Sequence, residues 1–99
     1  MSFLDLLKPL SFEHVKNVVK FNFTNQYSTI VQDNNKFEIT YKNGSREVVV
    51  YIAMIDSKTA VVDVKDNRCI VKVGRHTFST VGTFDKHVNK CVEEIYKFI

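Results

Sequence analysis

Over residues 36–55 the chain alternates in steps of two. Phe37, Ile39 and Tyr41 alternate with Lys36, Glu38, Thr40 and Lys42, the pattern of a strand with one face in a core and one in water. Asn43-Gly44 follows. Asn-Gly is the strongest short hairpin signal, because a type I′ turn needs positive φ at both central residues. A two-residue turn there pairs Lys42 with Ser45, Tyr41 with Arg46 and Ile39 with Val48. The returning strand carries Val48, Val50, Ile52 and Met54 on the core side and Val49, Tyr51, Ala53 and Ile55 on the other. Being apolar on both sides, it reads as a central strand covered on both faces.

A second set of strands follows. Residues 59–64 form one, Lys65-Asp66-Asn67-Arg68 turns, residues 69–73 form another, and Gly74-Arg75 turns into a strand at 76–81. The core face of this unit is Ala60, Val62, Val64, Cys69, Val71, Val73 and Phe78. A two-residue turn at Asp56-Ser57 would put Ala60 and Val62 on the face opposite Phe37 and Ile39, since a slip of one residue reverses every side chain. The pattern therefore predicts an odd-numbered connection, Asp56-Ser57-Lys58, or a bulge in one flank.

Elsewhere the period is helical. Phe84, Val88, Cys91, Val92, Ile95, Phe98 and Ile99 make one apolar stripe, predicting an amphipathic helix over 84–98 with Thr83 as N-cap. Ser11 reads as the N-cap of a helix over 12–20, with Leu10 and Val15 at the hydrophobic-staple positions and Phe12, Val15, Val18 and Val19 buried. Around Val19 the period changes to alternation through Phe21 and Phe23, and residues 27–32 are strand-forming. Phe3, Leu4, Leu6 and Leu7 precede Pro9 on a helix too short to stand alone in water. They are expected to roof the second sheet face. The functional alternative makes them a partner or dimer surface, with Phe3 and Leu7 as its apolar anchors. The fold class is α+β: an antiparallel meander of five to six strands, short N-terminal helices, and a C-terminal amphipathic helix on the sheet, all in one domain over 1–99.

Composition narrows this little. The 99 residues are 44% hydrophobic and 25% charged, an ordinary globular balance. No apolar run approaches the roughly 20 residues that span a bilayer, and no basic segment leads into an apolar one at the start. A cytosolic protein is expected, with no membrane association. Fourteen basic residues against 11 acids leave a net +3, which argues against an acidic nucleic-acid mimic without announcing a nucleic-acid binder. Only three of the basic residues are Arg, and Asn is abundant, a bias typical of A/T-rich genomes, including many bacteriophages.

The charges have a place. Alternate turns of a meander share one end of the sheet, so Lys42, Arg46, Lys65 and Arg68 gather there on exposed turn flanks as a candidate basic binding end. Chemistry is otherwise sparse. The two cysteines are not spaced for zinc, and Cys69 and Cys91 both read as buried hydrophobes in a reducing compartment. His14, His76 and His87 lie on three elements without common spacing, each reading as an exposed side chain. No nucleophile elbow and no phosphate loop occurs, and Gly44, Gly74 and Gly82 are taken up by turns. Glu38, Glu47 and Asp63 are not placed by sequence as a catalytic pair. No catalytic residue, metal ligand or cofactor is expected. By elimination the chain reads as a small non-enzymatic protein-binding module, such as a viral or bacterial accessory protein that modulates a larger protein. Nucleic-acid binding through the basic end is the alternative, and a homodimer is left open.

Overall fold

A computed structural model describes residues 3–99, apart from the side chains of Phe3 and Phe98. The element order is α1 (Phe3–Leu6), α2 (Phe12–Phe23), β1 (Ser28–Asp33), β2 (Lys36–Asn43), β3 (Arg46–Met54), β4 (Ala60–Asp66), β5 (Gly74–Phe78) and α3 (Val81–Phe98). The strands form one antiparallel sheet in sequential order. This is the α+β meander with N-terminal helices and a C-terminal helix that the hydrophobic pattern predicts, with five strands.

Pairing follows the turn chemistry, with one adjustment. In β2–β3 Asn43 pairs with Arg46, Tyr41 with Val48 and Ile39 with Val50, two residues away from the expected register. The turn residues are Gly44 and Ser45. Only Gly44 takes positive φ, at 62°, as in a type II′ turn with Gly first. A shift of two keeps every side chain on its face, so the core assignment survives. Between β3 and β4, Met54 pairs with Ala60, and the Ile55 amide donates to the Thr59 carbonyl at 2.9 Å. Asp56, Ser57 and Lys58 therefore form the odd-numbered connection that the face parity requires.

Phe37, Ile39, Tyr41, Val48, Val50, Ile52, Ala60 and Val62 are all buried on one face. Val15, Val19 and Phe23 of α2 and Val81, Phe84, Val88, Cys91 and Ile95 of α3 are buried with them in one core. Ser11 caps α2 by accepting from the His14 amide. The helix runs on to Phe23 instead of giving way to a strand at Val19. Val15, Val19 and Phe23 fall four apart on one helix face, and burying them outweighs the local alternation, which leaves Phe21 89% exposed. Tyr41 donates its hydroxyl to the Phe23 carbonyl at 2.9 Å, closing that end of α2 against the sheet.

α3 starts one turn earlier than expected, with Thr80 as N-cap. Gly82 lies inside its first turn and not in a connection. A Cβ there would come 2.9 Å from the Leu6 carbonyl oxygen, so the absent side chain admits α1 against α3. α1 thus packs on α3 and does not roof the second sheet face. Its position is set by main-chain bonds on both sides of Pro9: the Leu10 amide donates to Ser79 and the Val81 amide to Lys8. Leu4 and Leu7 remain 74% and 56% exposed. The expectation that β3 is covered on both faces is overturned with it. Tyr51 is 40% exposed, and Val49 and Ala53 are only half-buried.

The other departure is residues 67–73. The expected strand at 69–73 and its hairpin do not form, and β4 pairs directly with β5, Val64 against Gly74. The segment is a loop wound on the Asp66 carboxylate, which accepts from the amides of Arg68, Ile70 and Val71 at 3.0, 3.0 and 2.7 Å. Cys69 takes positive φ, which a strand does not allow. Val71 and Val73 still turn into the core.

Candidate functional site

The side of the sheet turned away from the core carries exposed and half-buried residues. Cross-strand register places its residues in rows. One row runs Val31, Glu38, Tyr51, Asp63, Arg75 across all five strands. The next runs Asp33, Lys36, Ala53, Val61, Thr77. On the other side of Tyr51 stand Thr29, Thr40, Val49 and Lys65. Val49, Tyr51 and Ala53 form an apolar line along β3, flanked on both sides by charged residues. A shallow cleft of about 140 Å³ beside the Tyr51 ring is lined by Lys36, Ala53, Val61, Asp63 and Arg75. The Lys65 ammonium lies 6.0 Å from the Tyr51 ring centroid, at the outer limit of a cation–π contact.

The basic end predicted from sequence is only partly assembled. The turn at Gly44-Ser45 and the 67–73 loop do share one end: Asn67 donates to the Ser45 carbonyl and accepts from the Glu47 amide. Lys42 and Lys65 project onto the open face, and Lys42 stands 3.7 Å from Glu47. Arg68 donates to the Ser45 hydroxyl. Arg46, expected on an exposed turn flank, is instead 6% exposed on the core side. Its guanidinium forks onto Asp66 at 2.6 and 2.8 Å. Burial alone would raise the Asp66 pKa, but the loop amides and Arg46 outweigh it and hold the carboxyl below its ordinary range. That pair spends the Arg46 charge internally. Sequence reasoning missed Asp66 because it read the segment as a turn flank; the signal was an acid followed by a run whose amides needed an acceptor.

On the helical side, Leu7 borders a groove between α1 and α3 with Thr80, Gly82, Thr83 and Lys86. The Phe3 anchor lies outside the described side chains. His76 is exposed as expected, whereas His14 and His87 are half-buried, and none of the three stands isolated. His14 donates a ring N–H to Asp85 at 2.7 Å, tying α2 to α3. His76 donates to the Val73 carbonyl at 2.8 Å. His87 packs on both His76 and Phe78, ring centroids 5.0 and 4.7 Å apart. Nε2 of His87 is buried without a hydrogen-bond partner among the described residues.

Burial lowers the His87 pKa from its ordinary 6.5, and the nearby His76 and Lys90 charges act in the same direction. The unfolded chain therefore binds the proton more readily. The stability carried by the neutral ring is fully present above about pH 6.5 and is lost as pH falls through the folded-state value. Melting temperature should drop between pH 7.5 and 5, and His87→Phe should flatten that drop. An identical slope in the variant would contradict the burial assigned to this ring.

Cys91 is buried, and burial pushes its thiol up to about 11. Cys69, expected in the core, is exposed on the loop. One thiol per native chain should therefore react rapidly with an aromatic disulfide reagent, the second only in denaturant. Two rapid thiols would place Cys91 outside the core.

Among the described residues, no cluster of three His, Cys, Asp or Glu is placed to hold a metal ion, and no helix is long and apolar enough to cross a membrane. No known protein-family model matches the chain, and no characterised protein or solved structure shows significant similarity to it.

Proposed function

We propose that this chain is a small non-enzymatic protein-binding module whose docking surface is the open face of the sheet. The observation that carries the reading is Tyr51, an exposed aromatic at the centre of a central strand, with Val49 and Ala53 on either side along β3 and Val61 diagonal to it on β4. Tyrosine is one of the residue types enriched among the central residues that dominate protein interfaces, and apolar patches with a polar rim mark such surfaces. The partner is a protein surface that offers an apolar contact to Tyr51 and charges of both signs around it, because Glu38 and Asp63 flank the ring and Lys36, Lys65 and Arg75 lie nearby.

The same charges disfavour nucleic acid. Glu38 and Asp63 flank Tyr51 in its own row, so a phosphate approaching the ring meets a carboxylate on either side. Arg46 is engaged with Asp66, which removes one of the four cations on which the basic-end reading relied. A polyanion site of four contacts would give a log–log salt slope of about −3 to −4 for duplex DNA, at about −0.9 per phosphate. Titrating labelled duplex and single strands at two salt concentrations should show no such steep binding. Salt-steep binding that disappears in Lys42→Ala/Lys65→Ala would replace the protein-binding reading with nucleic acid.

A further inference from the structure

The two edges of the sheet differ. The Lys42 amide donates to the Tyr27 carbonyl, which makes Tyr27, Thr29, Val31 and Asp33 the residues of the chain bonded to β2. Ser28, Ile30 and Gln32 consequently point their main-chain groups away from the sheet. The Ser28 amide is taken by the Asn25 carbonyl at 3.2 Å. Ile30 and Gln32 keep both N–H and C=O on the open edge. β1 is six residues long and has no lysine, proline or bulge, the devices that natural edge strands use against pairing. At the other edge the β5 register leaves only Arg75 and Thr77 pointing outward. Beyond it, the chain is bridged to the segment before α2, Pro9 against Thr80. The β5 edge carries Arg75 among its outward residues and is continued by a bridged segment; the outward residues of β1, Ile30 and Gln32, carry no charge.

We propose that β1 pairs with β1 of a second copy of this chain, about a two-fold axis at Val31, joining two sheets into one of ten strands. In that register Ile30 exchanges both main-chain bonds with Gln32 of the second copy, and Gln32 with its Ile30, so four hydrogen bonds form from groups that the monomer leaves open. Val31, 56% exposed, meets Val31 of the second copy as a non-hydrogen-bonded pair on the open face. Asp33 falls opposite Thr29, so no like charges oppose each other. The pairing leaves the Tyr51 surface uncovered and does not depend on its function.

The test uses cross-strand geometry. Residues of a non-hydrogen-bonded antiparallel pair have Cα atoms about 4.5 Å apart, within the range a disulfide accepts. In a Cys69→Ser background, native Val31→Cys should oxidise to a covalent dimer, while Thr29→Cys, displaced from its own copy along the strand, should remain monomeric. Sedimentation equilibrium of the unmodified protein should show a monomer–dimer equilibrium between micromolar and millimolar concentration. Gln32→Pro removes an outward N–H without removing a β1–β2 bond, and Val31→Lys sets two ammonium groups across the axis. Each should weaken the dimer by about tenfold or more with the thermal melt of the monomer retained. A monomer at every concentration, equal cross-linking at positions 29 and 31, or a dimer indifferent to both variants would overturn the proposal.

Discussion

Asp66→Ala is expected to lower unfolding free energy by about 3–5 kcal/mol, the cost of breaking a buried ion pair by removing one member. The Asp66 side chain is 1% exposed and that of Arg46 7%. Removing the carboxylate takes both forked hydrogen bonds from the buried guanidinium and also removes the acceptor of three loop amides. Urea denaturation followed by far-UV circular dichroism would measure the change. Replacing both partners, as Arg46→Met/Asp66→Leu, should recover only the share of the loss due to the broken ion pair, because the three loop amides still lack their acceptor. A loss below about 1 kcal/mol in the single variant, the worth of an exposed pair, would mean that the loop does not rest on Asp66. The carboxyl is held below its ordinary 3.8. Its contribution is therefore present above about pH 3.8 and is lost as pH falls through the folded-state value.

A chain ending at Ser79 should not fold. Val81, Phe84, Val88 and Ile95 of α3 are each no more than 7% exposed. At about 1.5–3 kcal/mol per buried side chain they contribute about 6–12 kcal/mol, against a total of about 5–15 kcal/mol for a natural domain. The truncated chain should lose its cooperative melt and bind hydrophobic dye at room temperature. A sharp transition near that of the full chain would show that α3 is an appendage of a self-sufficient sheet.

These two sites also mark where sequence was and was not informative. The α3 stripe was legible because its apolar positions repeat over four turns, more than any competing strand register explains. The sheet was legible because Phe37, Ile39 and Tyr41 alternate beside Gly44, and an error of two residues in the hairpin left each side chain on the correct face. Val19, Phe21 and Phe23 were ambiguous for a physical reason: they satisfy period two locally, while Val15, Val19 and Phe23 satisfy the helix. Only burial against the sheet chose between them. The 67–73 loop was hidden because its determinant, the side chain of Asp66, organises amides up to five residues away, which no periodicity records. Gly82 was read as a turn glycine because the approach of Leu6 is a tertiary contact. The same lack of long-range information put α1 over the wrong surface. The bonds flanking Pro9 hold it on the helical side, and the open sheet face is what remains.

That face against the Leu7 groove is the decisive comparison. The immobilised full chain, Tyr51→Glu and Leu7→Glu would each be exposed to lysate from cells that express the protein. Captured proteins would then be quantified by mass spectrometry, after the three melts are shown to agree. Both positions are exposed, so neither substitution should disturb the core. A buried interface tyrosine is worth about 2 kcal/mol or more, close to a thirtyfold change in affinity. The account predicts that specifically captured protein is retained by Leu7→Glu and lost by Tyr51→Glu. Retention by Tyr51→Glu with loss by Leu7→Glu would contradict it and move the binding surface to the helical side.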